Sequence, residues 1–248
     1  MIKLTILFYS FMITMACTQT ITLLNNGKAG GSFNARTLMY KEALESKGYT
    51  VIYENIGKIA QSVKIFKETK EPTLMVYSTN QSNKRDLHNT SENFILIEYE
   101  QPLYICTSKG SQNKSGRITV AHGKGYDPVV LERLLGKDIV LVPYKNSGAI
   151  LNGMLGGDVD VMVNNQGKSL KYMASGKGSC TVSYELPMMH ATVIAKNLDI
   201  KKMRSVLKNI VTNNSAFVDY HTSRKLKTSN QTWSEELVIV QRSEKAWK

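Results

Sequence analysis

Residues 142–163, VPYKNSGAILNGMLGGDVDVMV, constrain the fold more than any other stretch of the chain. An extended run leads into a turn and a short amphipathic stretch. Gly156 and Gly157 then stop that stretch where a left-handed residue closes a helix. Beyond them Val159, Val161 and Val163 alternate with Asp160 and Met162, the pattern of a β-branched strand packed against helices. The segment predicts a strand–helix–strand unit of an α/β domain, and the rest of the chain repeats the alternation. Strands are predicted near 20–24, 50–53, 73–77, 103–106, 117–121, 139–142 and 191–195, and helices near 34–47, 59–67, 129–135, 168–173 and 200–213. Such alternation argues for mostly parallel sheets covered on both faces. Pro102 breaks the run 94–107, 109–116 reads as a polar connector and 176–178 as a turn. Residues 237–240 read as an edge strand and 242–248 as a solvated tail.

The 248 residues, 42% of them hydrophobic, can bury a core as one large domain or two small ones. Lys3 precedes an apolar run from Leu4 to Ala16. That run is shorter than the about 20 residues of a membrane span, and it fits the apolar part of a secretory signal. Thr14 and Ala16 suit cleavage before Cys17, and Cys17 can alternatively be a lipidated first residue. Residues 1–17 are therefore expected to be a signal peptide and the mature protein to be periplasmic or otherwise extracytoplasmic. A net charge of +12 raises nucleic acid as a partner. The cations are scattered in doublets such as Lys84-Arg85, Lys201-Lys202 and Arg224-Lys225, without a reader motif. No nucleic acid is expected, and the field is read as one that gathers anionic solutes.

Cys106 and Cys180 remain after the leader; an exported compartment permits a bridge, and two independent buried thiols are the other reading. The cysteines, with His88, His122, His190 and His221, show no metal-ligand spacing, so no metal or cofactor is expected. His122 near Asp127 lacks a nucleophile, and the chain has no Gly-x-Ser-x-Gly elbow, P-loop or dinucleotide fingerprint. An enzyme is not expected.

Two motifs together resemble the solute-binding proteins of tripartite tricarboxylate transporters, the Bug proteins. The segment 142–160 nearly completes that family's valine-proline-tyrosine-lysine, serine-glycine, glycine-glycine, valine-aspartate run. Residues 29–34 follow its proline-glycine-glycine-x-x-aspartate loop, with Ala29 for the proline and Asn34 for the aspartate. The likeness runs from about Ile21 to about Val218. It implies a two-lobed α/β fold of the type II periplasmic-binding-protein kind, with a hinge and an interdomain cleft. Lobe 1 would hold residues 18–102 and 196–248, and lobe 2 residues 103–195. Lobe 2 looks trimmed relative to the family. The implied function is capture of a di- or tricarboxylate or related organic acid, by a monomer, for a secondary transporter's membrane subunits. A sensory receptor of the same fold and a diverged member without solute are the alternatives.

Each lobe offers a glycine-bearing corner between a strand and a helix: Gly30, Gly31, Ser32, Phe33 and Asn34 in one, Lys124, Gly125, Tyr126 and Asp127 in the other. Glycines let the backbone approach closely, and the first N–H groups of a helix, at its positive dipole end, hold an anion. By resemblance, Gly30, Gly31, Ser32, Ser78 and Thr79 grip a solute carboxylate. Lys124 is read as a partner for a further carboxylate or as a solvated lysine, and Phe33 and Tyr126 as walls over the solute or shields for the loops. Tyr144 is a contact or a packing residue. Asn165 is a polar contact, or half of a turn-forming pair with Asn164. Gly30 and Gly31 also read as no more than a tight turn. Asn34 lacks the negative charge that would receive an ammonium, which favours a carboxylic acid over an amino acid.

Overall fold

The computed structural model describes residues 19–81, 86–110, 116–123, 128–136, 138–183, 186 and 188–246. The chain begins with β1 (Thr20–Asn25), α1 (Ser32–Glu45), β2 (Thr50–Asn55), α2 (Ile59–Glu68) and β3 (Thr73–Ser78), which ends in a 3₁₀ turn, Thr79–Gln81. Only Pro102 separates β4 (Phe94–Gln101) from β5 (Leu103–Ser108). There follow β6 (Ile118–Gly123), α3 (Pro128–Leu135), β7 (Ile139–Tyr144), α4 (Ser147–Gly156), β8 (Val161–Asn165), α5 (Gln166–Ala174) and β9 (Gly178–Ser183). The last elements are β10 (Met189–Lys196), α6 (Ile200–Asn213), α7 (Ser215–Ser223) and α8 (Trp233–Ala246).

Two five-stranded sheets form, ordered β2-β1-β3-β10-β4 and β7-β6-β8-β5-β9. In each, the fourth strand runs against the other four: β10 is antiparallel to β3 and β4, and β5 to β8 and β9. The expected mostly parallel sheets form, each with one reversed strand that makes it mixed. The cause is the length of the crossings. β4 ends at the carboxyl edge of its sheet, and a single proline delivers the chain to the carboxyl edge of the other, where the next strand must run backwards.

Both faces of each sheet are covered, as a mainly parallel sheet requires. Ile21, Leu23, Leu74 and Val76 pack on Tyr40 and Leu44 of α1 and on Met203, Leu207 and Ile210 of α6. Leu24, Met75 and Tyr77 pack on Val63 and Phe66 of α2. In the second sheet Val120, Val161 and Val163 meet Val130 and Leu131 of α3, while Ala121 and Met162 meet Ile150 and Met154 of α4 and Tyr172 of α5. The β7–α4–β8 unit forms as its sequence predicts. Asn146 caps α4 by accepting the Ala149 N–H at 2.8 Å, and Gly157 ends it at φ 82°. A Cβ at Gly153 would lie 2.3 Å from the Tyr144 hydroxyl, so glycine lets that ring lie across the helix.

The carboxyl-terminal region departs from expectation. Residues 237–240, read as an edge strand, lie inside α8, and the expected solvated tail from 242 continues the helix with Ser243 and Glu244 buried. Glu236, Val240, Ser243 and Glu244 recur at helical spacing, and Thr232 and Glu235 form a capping box, Thr232 N–H to Glu235 Oε2 at 2.9 Å. Partners along the helix override the β propensity of its Leu-Val-Ile-Val run. Glu236, fully buried, meets Arg204 Nη1 at 2.8 Å and Lys208 Nζ at 3.0 Å, and takes the Ile97 N–H of β4 at 3.1 Å. Helix α7 was not anticipated. It packs Phe217 on Tyr40 and carries His221 to within 3.2 Å of Glu98, itself 3.2 Å from Arg36. Among the described residues no helix is long and apolar enough to cross a membrane.

Residue 178, read as part of a turn, opens β9. A Cβ there would lie 2.1 Å from Thr107 O, so only glycine lets β9 close on β5. Cys106 and Cys180 sit directly opposite one another on these strands and form a disulfide, which settles the two readings of the pair. The bridge spans a sequence separation of 74. Replacing both cysteines by alanine is expected to cost about 4 kcal/mol through the freed chain entropy of so long a loop. Urea unfolding of the oxidised protein and the double variant measures this as a lower midpoint, and coincident curves would contradict it.

Candidate functional site

Asn25, fully buried at the end of β1, organises the corner that follows. Its Oδ1 accepts the Gly27 N–H at 3.0 Å, and its Nδ2 reaches Gly27 O at 2.9 Å, Asn34 Oδ1 at 2.9 Å and Asn55 Oδ1 at 2.8 Å. Its carbonyl accepts the N–H groups of Ile56 at 3.1 Å and Gly57 at 3.3 Å. One asparagine therefore binds the loop after β1, the first turn of α1 and the end of β2. A Cβ at Gly27 would lie 2.6 Å from Phe33 Cβ, and Gly30 takes a left-handed φ of 74°, so this loop demands glycine at both places.

Helix α1 starts at Ser32 with Gly31 as its N-cap, which offers no side-chain bond, and its first turn carries no acid. Helix α2, with Lys58 as N-cap, is the same. By contrast α4, α5, α6 and α7 are capped by the side chains of Asn146, Asn165, Asp199 and Asn214. Both uncapped starts flank Asn25. The first intrahelical bond of α1 is Ala35 N–H to Gly31 O, 3.0 Å, which leaves the N–H groups of Ser32, Phe33 and Asn34 without helical partners. Two positive dipole ends and the lysine at 58 suit this corner to an anion.

The corner is fixed from below. The Arg36 guanidinium carbon lies 4.9 Å from the Phe33 ring centroid and 5.0 Å from that of Tyr99, and its Nη1 donates to the Tyr99 hydroxyl at 2.6 Å. Burial pulls the Arg36 pKa down, and Glu98 with the surrounding phenols more than offsets this, leaving it above the ordinary value. Burial also pushes the Tyr99 hydroxyl up to about 12. Arg36 is thus a permanent cation bolted to β4 beneath α1.

The other expected residues divide. Ser78 is buried at the end of β3 and donates to Asn80 Oδ1 at 2.8 Å. Thr79 is fully buried; its hydroxyl accepts the His190 N–H at 3.1 Å and shares a hydrogen bond with Ser243 Oγ at 3.2 Å. The hydroxyl expected to grip a solute instead ties the turn after β3 to the start of β10 and to α8. Tyr144 lies across Gly153 and also borders the open depression beside α4. Asn165 uses Oδ1 to cap α5 at Lys168 N–H, 3.2 Å, which leaves its amide nitrogen at the carboxyl end of β8. Lys124, Gly125, Tyr126 and Asp127 lie outside the described residues, as does Cys17. Sequence reasoning missed Asn25, Tyr53 and Asn55; their placement at the ends of β1 and β2 was the available signal.

Strand pairing brings the carboxyl edges of the sheets to one place. Ser78 pairs with Ala191, Met189 with Gln101, and across Pro102 Leu103 pairs with Asn165. The surface also carries two open depressions elsewhere. One, about 500 Å³, runs along α6 past Lys201, Arg204 and Lys208, whose last two cations already serve Glu236. The other, about 520 Å³, lies beside α4 at Lys145 and Asp158, where Asn146 caps the helix. Neither has the uncapped donors of the α1 corner. Among the described residues no group of three His, Cys, Asp or Glu is placed to hold a metal ion.

No family model matches the sequence, and no curated protein matches it either. Solved structures share its fold. The periplasmic binding protein BugD aligns over 92% of this chain and 95% of its own, at 15% identity and a TM-score of 0.65. MatC from Rhodopseudomonas palustris, solved with bound malate, aligns over 94% and 98% at 15% identity and a TM-score of 0.65. A protein of R. palustris solved with adipate aligns over 94% and 96% at 11% identity and a TM-score of 0.66. The fold is therefore the two-lobed periplasmic-binding-protein fold.

His190, buried where β10 begins, has its pKa pushed down to about 4 by burial, and its Nδ1 has no partner. The folded protein keeps it neutral, while the unfolded chain takes a proton near pH 6.5. Its contribution is complete above that pH and is lost as pH falls towards 4, by about 3 kcal/mol. Urea unfolding at pH 7 and pH 4 should show His190→Leu losing less stability on acidification than the wild type by about that amount. Equal losses would contradict the assignment.

Proposed function

We propose that this chain is an extracytoplasmic solute-binding protein of the tripartite tricarboxylate kind, which captures a small di- or tricarboxylate for a secondary transporter in the membrane. The observation that carries the reading is the pair of uncapped helix starts around Asn25, in a fold whose solved examples include proteins with malate and with adipate. A carboxylate at this corner takes the free N–H groups of Ser32, Phe33 and Asn34, with Gly30 and Gly31 admitting it close to the backbone. Lobe 1 takes the residues to 102 and from β10 onward, and lobe 2 the residues from 103 to the end of β9; β10 (Met189–Lys196) pairs with β3 and β4, so the boundary expected at 195 moves to before that strand. A hinge lies at Pro102, the single residue between β4 and β5. Closure brings the Asn165 amide over the solute, because the shut form binds it better. No covalent step is involved. The Cys106–Cys180 disulfide fits an oxidising compartment, and residues 1–17 fit the leader that would deliver the chain there.

Thermal unfolding of the mature protein with and without organic acids tests the proposal. A saturating acid at about 100 times its Kd adds about 2.7 kcal/mol, a rise of roughly 5–10 °C for a chain of this size. In Gly31→Val the new Cβ would lie 3.0 Å from Lys28 O, directly before the free donors. The variant is expected to melt close to the empty wild type and to lose the rise. A variant that responds unchanged to the same acid would remove the α1 corner from consideration.

A further inference from the structure

Asn25 also decides which end of the Asn34 side chain faces outward. The Gly27 N–H can only donate, so the Asn25 atom that it meets at 3.0 Å must be the carbonyl oxygen. The other end of Asn25 is then the NH₂, and an Asn34 NH₂ set 2.9 Å from it would put donor against donor, so the Asn34 oxygen takes that place. The Tyr53 hydroxyl donates to the same Asn34 oxygen at 2.7 Å. A backbone group that cannot change its polarity thus sets, through one intermediary, the orientation of a side-chain amide. With Oδ1 engaged twice, the remaining polar edge of Asn34 is its NH₂. That nitrogen has no partner among the described residues and is not one of the buried atoms closed off from solvent. It belongs to the third residue of α1, in the same turn as the unpartnered N–H groups. Apart from the Ser32 hydroxyl, which can donate or accept, the corner presents donors: three backbone N–H groups and one amide NH₂. An ammonium is three donors with no acceptor, and it meets no carboxylate in the first turn of α1 to offset its charge.

We propose that Asn34 sets the specificity of the site, selecting acids without an amino group over amino acids of the same skeleton, with Asn25 and Tyr53 as its positioning residues. The inference deepens the proposed function and rests on a solute lying at the α1 corner. It is tested by isothermal calorimetry with matched pairs that differ by one ammonium: succinate against aspartate, and glutarate against glutamate. The wild type should bind the acid without nitrogen at least about 10-fold tighter in the pair it accepts. Asn34→Asp keeps an acceptor for Asn25 and Tyr53 and turns a carboxylate oxygen outward. It should cut that ratio by about 10-fold or more, or invert it, by weakening the first member and admitting the second. Asn34→Ala removes the donor without adding an acceptor and should move the ratio towards one without inverting it. Circular dichroism of each variant establishes folding, and the alanine variant decides if the aspartate variant does not fold. Variants that bind at the wild-type ratio would overturn the assignment and leave the solute-binding reading standing. A folded wild type that binds no member of either pair, nor malate or adipate, would instead sink that reading and this inference with it.

Discussion

A single residue, Pro102, separates the last parallel strand of one sheet from the first strand laid into the other, and much of the architecture follows from that brevity. A chain that crosses in one step cannot travel to the far end of the second sheet, so β5 must start at its carboxyl edge and run backwards. The return after Ser183 obeys the same rule with β10. Each sheet therefore receives its fourth strand from the other, and the loops at the carboxyl ends of the parallel strands face the seam where the crossings lie. Loops in that position are where open α/β sheets bind ligands. The fold puts them on two opposed edges at once.

Charge is buried where sheet edges and helices need joining. β4 is a sheet edge, and its outward backbone groups are taken mostly by side chains: Trp233 Nε1 donates to Phe94 O at 3.0 Å, Arg204 Nη1 to Ile95 O at 2.6 Å, and Glu236 accepts from Ile97, while the Glu100 N–H bridges to Lys227 O at 2.8 Å. An edge so covered is closed to pairing with another chain. On the other face of the same strand Glu98 faces Arg36 and His221. Removing one member of a buried pair of this kind typically costs about 3–5 kcal/mol, because the other is left charged and dry. The arrangement specifies where α1, α7 and α8 sit more sharply than apolar packing would.

How much of this was legible in the chain follows from how local each signal is. The β7–α4–β8 unit was readable down to its glycine stop, because turn, stripe and alternation all lie within one short segment. Its likeness to the Bug proteins agrees with the solved neighbours at the level of fold. Helix α8 was misread because its Leu-Val-Ile-Val run favours a strand in isolation, and only Phe94, Asn89 and Arg204, far off in sequence, make it a helix. The disulfide and β9 depend on a cross-strand register that no spacing reveals. At the candidate site, the loop at 30–34 could be read as a glycine corner. The network of Asn25, Tyr53 and Asn55 could not, since it joins two strand ends and a helix. The hydroxyl of Thr79 was misjudged because its partners, His190 and Ser243, arrive from the opposite end of the chain.

The uneven capping of the helices has an energetic consequence. Among the described residues five helices carry a side-chain cap, α8 through Thr232, and each such cap is worth about 1 kcal/mol, while α1 and α2 have none. Serine or aspartate at 31 or 58 would be an ordinary stabilising substitution, so the backbone here permits more rigidity than the sequence supplies. An anion bound there as proposed would act as a removable cap, tightening the corner on arrival and loosening it on departure, so that occupancy would be felt as a stiffening of one lobe before the other had moved.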